Sequence, residues 1–332
     1  MSKRRRESKD EAWERGDKAA PTRPVSLDDY TIGWICALPI EMAAAKSMLD
    51  FVHPDLPKHP EDRNAYILGA INSHNIVITC LASGRYGTNS AAVVCSQMRP
   101  SFPSLKYCLM VGVGGGAPSQ TVDIRLGDVV VSKPTGNSPG VVQYDYGKTI
   151  AGGTFQQIGV LDKPPMELLT AMSKLQSKHL LEPNRILDFI AEACSKFNHR
   201  RAQFRNPGVE EDILFTAEYE HVNQYGSCQS CDVTMVVPRH NRVDRDPVIY
   251  YGLIASGNQV IKDAKVRDQI IRELDVYCFE MEAAGIMDNF PCLVIRGICD
   301  YSDSHKAKNW QGYAAATAAA YAKELISSIS PC

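Results

Sequence analysis

The feature that most narrows the choice of fold is an alternation of short, largely apolar runs with helical segments. Thr31–Leu38, Lys106–Val113, Asp128–Ser132, Val248–Ala255 and the stretches 276–281 and 292–298 are such runs. A strand with one wet face alternates apolar and polar residues, whereas a strand covered on both faces does not have to. Helical segments fall at Glu41–Leu49, Thr88–Met98, about 259–274, 282–289 and about 310–328, the last rich in alanine. Residues 65–71 and 75–82 read as a hairpin around 72–74. The pattern predicts an α/β fold, a single three-layer α/β/α domain around a mixed, mainly parallel sheet.

That domain is expected over residues 28–330. Ahead of it, residues 1–27 read as a disordered tail. Residues 1–24 carry eight Lys or Arg against five Asp or Glu and too few apolar side chains to offset the entropy of ordering. The Lys3–Arg6 run fits a nuclear-localisation signal, though a solvated tail is the plainer reading. Between about 134 and 247 the alternating rhythm breaks. Helices fit 166–179 and 184–197, and Pro, Gly and charge dominate thereafter, which reads as an elaboration inserted into one core.

Charge excludes one class of function. The 36 Lys and Arg nearly balance 38 Asp and Glu, for a net −2, so nucleic acid is not an expected partner. No uncharged apolar run approaches ~18 residues, so a membrane is not expected either. The eleven cysteines sit mostly within apolar runs, where cysteine behaves as a small buried hydrophobe. Their odd number, without a recognisable signal peptide, points to a reducing compartment, read as cytoplasmic with the nucleus as a second address.

Three carboxylates then stand out by position. Glu41 follows the first strand, after Pro39. Glu282 follows the strand at 276–281, in Glu280-Met281-Glu282-Ala283-Ala284-Gly285. Asp300 ends the strand at 292–298, in Arg296-Gly297-Ile298-Cys299-Asp300. In open α/β sheets, ligands bind beyond the carboxyl ends of strands. Each residue has a plain alternative, because acids also favour helix starts. Together they describe one cleft with acid, base and diol-binding capacity. A fourth strand ends in Gly112-Val113-Gly114-Gly115-Gly116, read as a tight turn where backbone can approach a ligand. It is not a dinucleotide fingerprint, since Ala117 and Pro118 replace the glycine and helix that pattern needs.

With these segments in this order, the chain resembles the nucleoside phosphorylase/nucleosidase superfamily, most of all its fungal branch and purine nucleosidases. The similarity runs over about residues 28–329 and rests on Ile32–Glu41, Val111–Ser132, Tyr251–Gln259, Phe279–Gly285 and Ile295–Asp303. The resemblance implies a purine nucleoside hydrolase that releases free base and ribose without a cofactor. It implies that Glu282 binds the ribose hydroxyls, with Met281 packed on the sugar and Glu280 beside it. Asp300 would protonate the imidazole ring of the leaving base, and Glu41 would activate water near Arg296. Gly114 and Gly115 would lie beside the sugar, and Asn258, Gln259 and Val260 along the base. A homo-oligomer is also implied, since sites in this superfamily often borrow residues from a neighbouring subunit.

Two positions depart from the nucleosidase pattern. Val113 and Cys299 stand where serine is usual. The phosphorylase alternative lacks its Gly-Asp-Pro and nearby arginine, leaving Arg85 as a candidate phosphate ligand. A non-enzymatic nucleoside sensor is a third reading. Cys228 and Cys231 form the one close cysteine pair and invite a zinc site with His221, His240 or Cys194. Fewer than four donors fall at recognisable spacing, so no metal is expected.

Overall fold

The structure is a computed structural model and describes residues 25–151, 155–196, 201–222, 228–242, 244, 246–306 and 308–330. The basic run of the expected tail lies outside the described residues. Val25 and Leu27, assigned to the tail by composition, pack against the core.

Among the described residues, ten strands share one mixed sheet. In chain order its members are β1 (Ile32–Cys36), β2 (Phe51–Val52), β3 (Tyr66–Ile71), β4 (His74–Cys80), β5 (Tyr107–Gly116), β6 (Val129–Ser132), β7 (Val141–Gln143), β10 (Ile249–Ser256), β11 (Val276–Glu280) and β12 (Cys292–Asp300). Between β7 and β10, β8 (Gly147–Thr149) and β9 (Phe155–Gln157) make a separate ribbon. The sheet order is β11-β10-β6-β12-β5-β1-β4-β3-β2, with β7 added beside β10. β1 runs parallel to β4 and β5, and β12 runs parallel to β5. β11 is parallel to β10, yet its end turns back to pair antiparallel with the end of β5, Cys278 opposite Gly116. That closure brings the carboxyl ends of β5, β11 and β12 together.

Among the described residues, six α-helices cover the sheet: α1 (Pro39–Met48), α2 (Thr88–Ser101), α3 (Met166–His179), α4 (Ile186–Lys196), α5 (Ala264–Leu274) and α6 (Gln311–Ile326). The continuous apolar runs now have a cause, because alternate residues enter opposite cores. Ile32 and Trp34 of β1, with Leu109 and Leu293, join the core shared with α1, α4 and α6. Ile35, Met110 and Val294 join the core under α2. The alanines of α6 let it lie almost on the sheet. A Cβ on Gly297 of β12 would collide with the backbone of Ala314.

Two local expectations differ from the structure. The segment 282–289 is not a helix; after Glu282 only a 3₁₀ turn, Ala283–Gly285, forms. Gly285 presses against the backbone of Thr88, where any side chain would collide. Gly114–Gly116 are not a turn but the last residues of β5, paired with β12 and β11. Strands β2, β7, β8 and β9 lack a readable pattern because they are two or three residues long.

Candidate active site

Pro39 opens α1, and Glu41 is its third residue. The Glu41 carboxylate caps its own helix, with Oε2 accepting from the backbone N–H groups of Ala37 (2.7 Å) and Leu38 (2.9 Å). Oε1 accepts from the N–H of Val113 on β5, at 2.8 Å. The plain cap reading and the site reading therefore describe the same residue. Burial still pushes its carboxyl above the usual range, against the pull of Arg296 and those three N–H groups.

Arg296 reaches the same place from β12 and is 1% exposed. Its Nη2 makes an ion pair with Glu280 and lies 3.6 Å from Glu282 Oε2. Burial works against its charge, but Glu280, Glu282 and Glu41 together hold it firmly protonated. Glu280 ends β11 and also accepts from the N–H groups of Glu282 (3.1 Å) and Ala283 (3.0 Å). Glu282 begins the 3₁₀ turn, and its Oε1 accepts from the N–H of Gly87 at 3.2 Å. Burial, with Glu280 and Glu41 nearby, pushes Glu282 up to about 7, although Arg296 and the Gly87 N–H oppose the shift.

Asp300 lies four residues beyond Arg296, past an irregularity in the β12–β5 register. Its Oδ2 pairs with Lys306 Nζ (2.9 Å) and accepts from the Cys299 thiol (3.1 Å). Its Oδ1 accepts from the Ser302 N–H (3.0 Å), which a left-handed backbone at Ser302, φ 54°, turns back toward it. Asp303 faces away, accepting from the His305 N–H and lying 3.9 Å from Arg267.

The glycine run gains a different meaning from the one its sequence suggests. The missing side chains make room for Glu41, Arg296 and Asp300. A Cβ on Gly112 would sit 2.5 Å from Glu41 Oε1 and 2.6 Å from Arg296 Nη1. At Gly114 it would press on Phe279 O (3.0 Å), and at Gly115 on Asp300 Oδ1 (2.9 Å). Real Cβ contacts are not this short, so β5 forms a floor across which the charged heads lie.

Glu41, Glu280, Glu282, Arg296 and Asp300 thus gather around the end of β5. Met281, between the two glutamates, is half-buried. The expected base-binding segment stands further out. Asn258 is exposed, and its Oδ1 accepts from the Thr88 N–H (3.1 Å), one residue from Gly87. Asp145, just after β7, accepts from the Asn258 N–H at 2.6 Å, a partner that no sequence signal indicated. Gln259 meets Tyr144 through its carbonyl, and Val260 is 45% exposed. Arg85 is exposed on the loop before α2. A cleft of about 930 Å³ lies elsewhere, lined by α3 and β10 residues such as Gln176 and Tyr251, and holds none of these groups.

The chain has relatives among proteins of known kind. It is 47% identical over 316 residues to a nucleotide-binding leucine-rich repeat (NLR)-like protein from Hyaloscypha variabilis, covering 95% of this chain but 31% of that protein. It is 24% identical over 294 residues to the ATP nucleosidase Cap17 of Escherichia coli, covering 86% of this chain and 48% of that one. The chain therefore spans a third to a half of these relatives' lengths. Among solved structures, the 5′-methylthioadenosine/S-adenosylhomocysteine nucleosidase of Helicobacter pylori matches with a TM-score of 0.57 at 15% identity, over 90% of this chain and 98% of that one. No family model matches the chain. No helix among the described residues is long and apolar enough to cross a membrane. The chain thus has the fold of these nucleosidases and is similar in sequence to an ATP nucleosidase.

Proposed function

We propose that the chain is an N-glycosyl hydrolase that cleaves purine nucleosides to free base and sugar. The observation that carries this reading is the buried Arg296 ringed by Glu41, Glu280 and Glu282, with Asp300 further along the same strand. In the proposed reaction, Glu282 holds the ribose 2′- and 3′-hydroxyls, and Met281 packs on the sugar. Glu41 takes a proton from water as the water oxygen bonds to the anomeric carbon. The bond from that carbon to the purine nitrogen breaks, and Asp300 delivers a proton to the imidazole ring of the departing base. This is an inverting displacement with acid and base on opposite faces. Three of the roughly four acceptor positions on the Glu41 carboxylate are taken by N–H groups, which leaves one for water.

Hydrolysis is favoured over phosphorolysis on electrostatic grounds. Arg296 is committed to carboxylates, and phosphate beside three of them would be repelled. Arg85, the candidate phosphate ligand, is exposed on its loop. A nucleoside-sensing role without turnover is the second reading, suggested by the NLR-like relative of which this chain matches 31%. The test is base release from adenosine, inosine, guanosine, 5′-methylthioadenosine and ATP, each with and without phosphate. Equal rates with free sugar as product support the hydrolase. Sugar 1-phosphate moves the assignment to a phosphorylase. Binding without turnover moves it to a sensor.

A further inference from the structure

His221, Cys228 and Cys231 come from the elaboration and play no part in the proposed hydrolysis. Their ligand-capable atoms all lie within 4.8 Å of one another. Cys228 opens a 3₁₀ turn, Cys228–Ser230, and Cys231 follows it, with the Cys231 N–H donating to the Cys228 carbonyl (3.1 Å). Neither Cys194 nor His240, the other candidates from sequence spacing, belongs to the cluster.

We propose that these three residues bind one zinc ion. The donor set is soft, two thiolates and an imidazole, which selects zinc over calcium or magnesium. In a tetrahedral zinc site, with Zn–S near 2.3 Å and Zn–N near 2.0 Å, donor atoms lie roughly 3.3–3.8 Å apart. Donors already within 4.8 Å need to close by only about 1 Å.

The site's place in the fold gives the ion a task. The His221 N–H donates to Ser304 Oγ at 2.9 Å, and Cys228 Sγ lies 4.0 Å from the His305 carbonyl. Both contacts fall on the loop that follows β12, which also supplies the Ser302 N–H and Lys306 ammonium to Asp300. His305 stacks on Phe215 at 4.1 Å, its ring centroid lies 5.2 Å from that of His221, and both its ring nitrogens lack a hydrogen-bond partner among the described residues. The ion clips the elaboration to the loop that holds Asp300.

The test uses the full chain purified with zinc and without chelator. Elemental analysis is expected to give about one zinc per chain, falling to near zero in Cys228→Ser and in Cys231→Ser. Cobalt in place of zinc should give sulfur-to-cobalt charge-transfer absorption. Should the variants fail to fold, thiol titration of the native wild type decides, since zinc should protect two thiols that become reactive after chelation. Wild-type protein that retains no zinc, with the same number of reactive thiols in its presence and absence, overturns the proposal, as does recovery of the pair as a disulfide that zinc does not prevent. None of these readouts depends on the substrate.

Discussion

The two halves of the candidate site neutralise their carboxylates in different ways. Glu280 and Glu282 answer to Arg296, a guanidinium on a central strand that is 1% exposed. Asp300 answers to Lys306, an ammonium on a loop whose side chain is 28% exposed. A guanidinium with fixed donors inside the sheet is a permanent part of the fold. A flexible lysine at the rim can leave when something takes its place. The fixed half therefore suits holding a sugar, and the releasable half suits an acid that must meet a base as it arrives and departs.

Removing the arginine should be the most damaging way to break this contrast. Arg296→Met keeps apolar bulk but leaves Glu280 and Glu282 buried beside Glu41 without a countercharge. Breaking a buried pair in this way costs about 3–5 kcal/mol. Denaturant unfolding should show a loss of that order, together with loss of base release. A loss below about 1 kcal/mol would mean that the carboxylates are not held as charges by Arg296.

Asp300→Asn tests the other half through turnover, not stability. Asparagine keeps the shape but has no acidic proton to give. Purine nucleosides should lose ~10²–10⁴-fold in turnover, the usual span for a general acid. A nitrophenyl riboside, whose leaving group needs no proton, should lose far less. Full activity of the variant on inosine would remove Asp300 from the mechanism.

How much of this was legible in the sequence follows from the same contrast. The strand ends, Glu41, Glu282 and Asp300 could be read, because continuous apolar runs mark buried strands and polar residues at their ends stand out, whereas Arg296, inside β12, came only from the resemblance. The glycines at 112–116 were misread as a turn, because sequence does not reveal that their missing side chains make room for Glu41 of α1, Arg296 and Asp300 of β12 and the Phe279 carbonyl of β11. The helix expected at 282–289 fails for a similar reason, since Gly285 lies against α2 from nearly 200 residues earlier. Lys306 and Asp145 contribute through loop and elaboration contacts that follow no period, so no spacing rule could select them.

The raised carboxyl of Glu282 gives a prediction in which activity and stability move in opposite directions. A carboxyl near 7 in the fold and near 4.5 when unfolded favours the folded state most when protonated. Its stabilising contribution is full below about 4.5 and is lost as pH rises through 7. Glu282→Gln removes that penalty, so the variant should melt higher than wild type at pH 8 and about equally at pH 5. It should nevertheless lose activity on both purine nucleosides and nitrophenyl ribosides, because both need the ribose held. Wild-type activity should itself fall as pH drops below about 7, as Glu282 takes up a proton. A variant no more stable than wild type at pH 8 would show that the charge on Glu282 carries no folding penalty.

The smallest effect is expected at Lys306, where the two halves differ most. Lys306→Met deletes the ion pair with Asp300 but leaves Asp300 its Ser302 N–H and Cys299 thiol. Burial opposes the charge on Lys306 and Asp300 overcomes it, while 28% of the lysine side chain stays exposed. Partly exposed pairs of this kind are worth about 0–1 kcal/mol. The unfolding free energy should therefore change by less than about 1 kcal/mol, against the several expected for Arg296→Met measured alongside it. The two losses differ because one cation is replaceable by water and the other is not. Comparable losses for the two variants would show that the rim lysine is as fixed as the buried arginine, and the division of the site into a holding half and a releasable half would have to be given up.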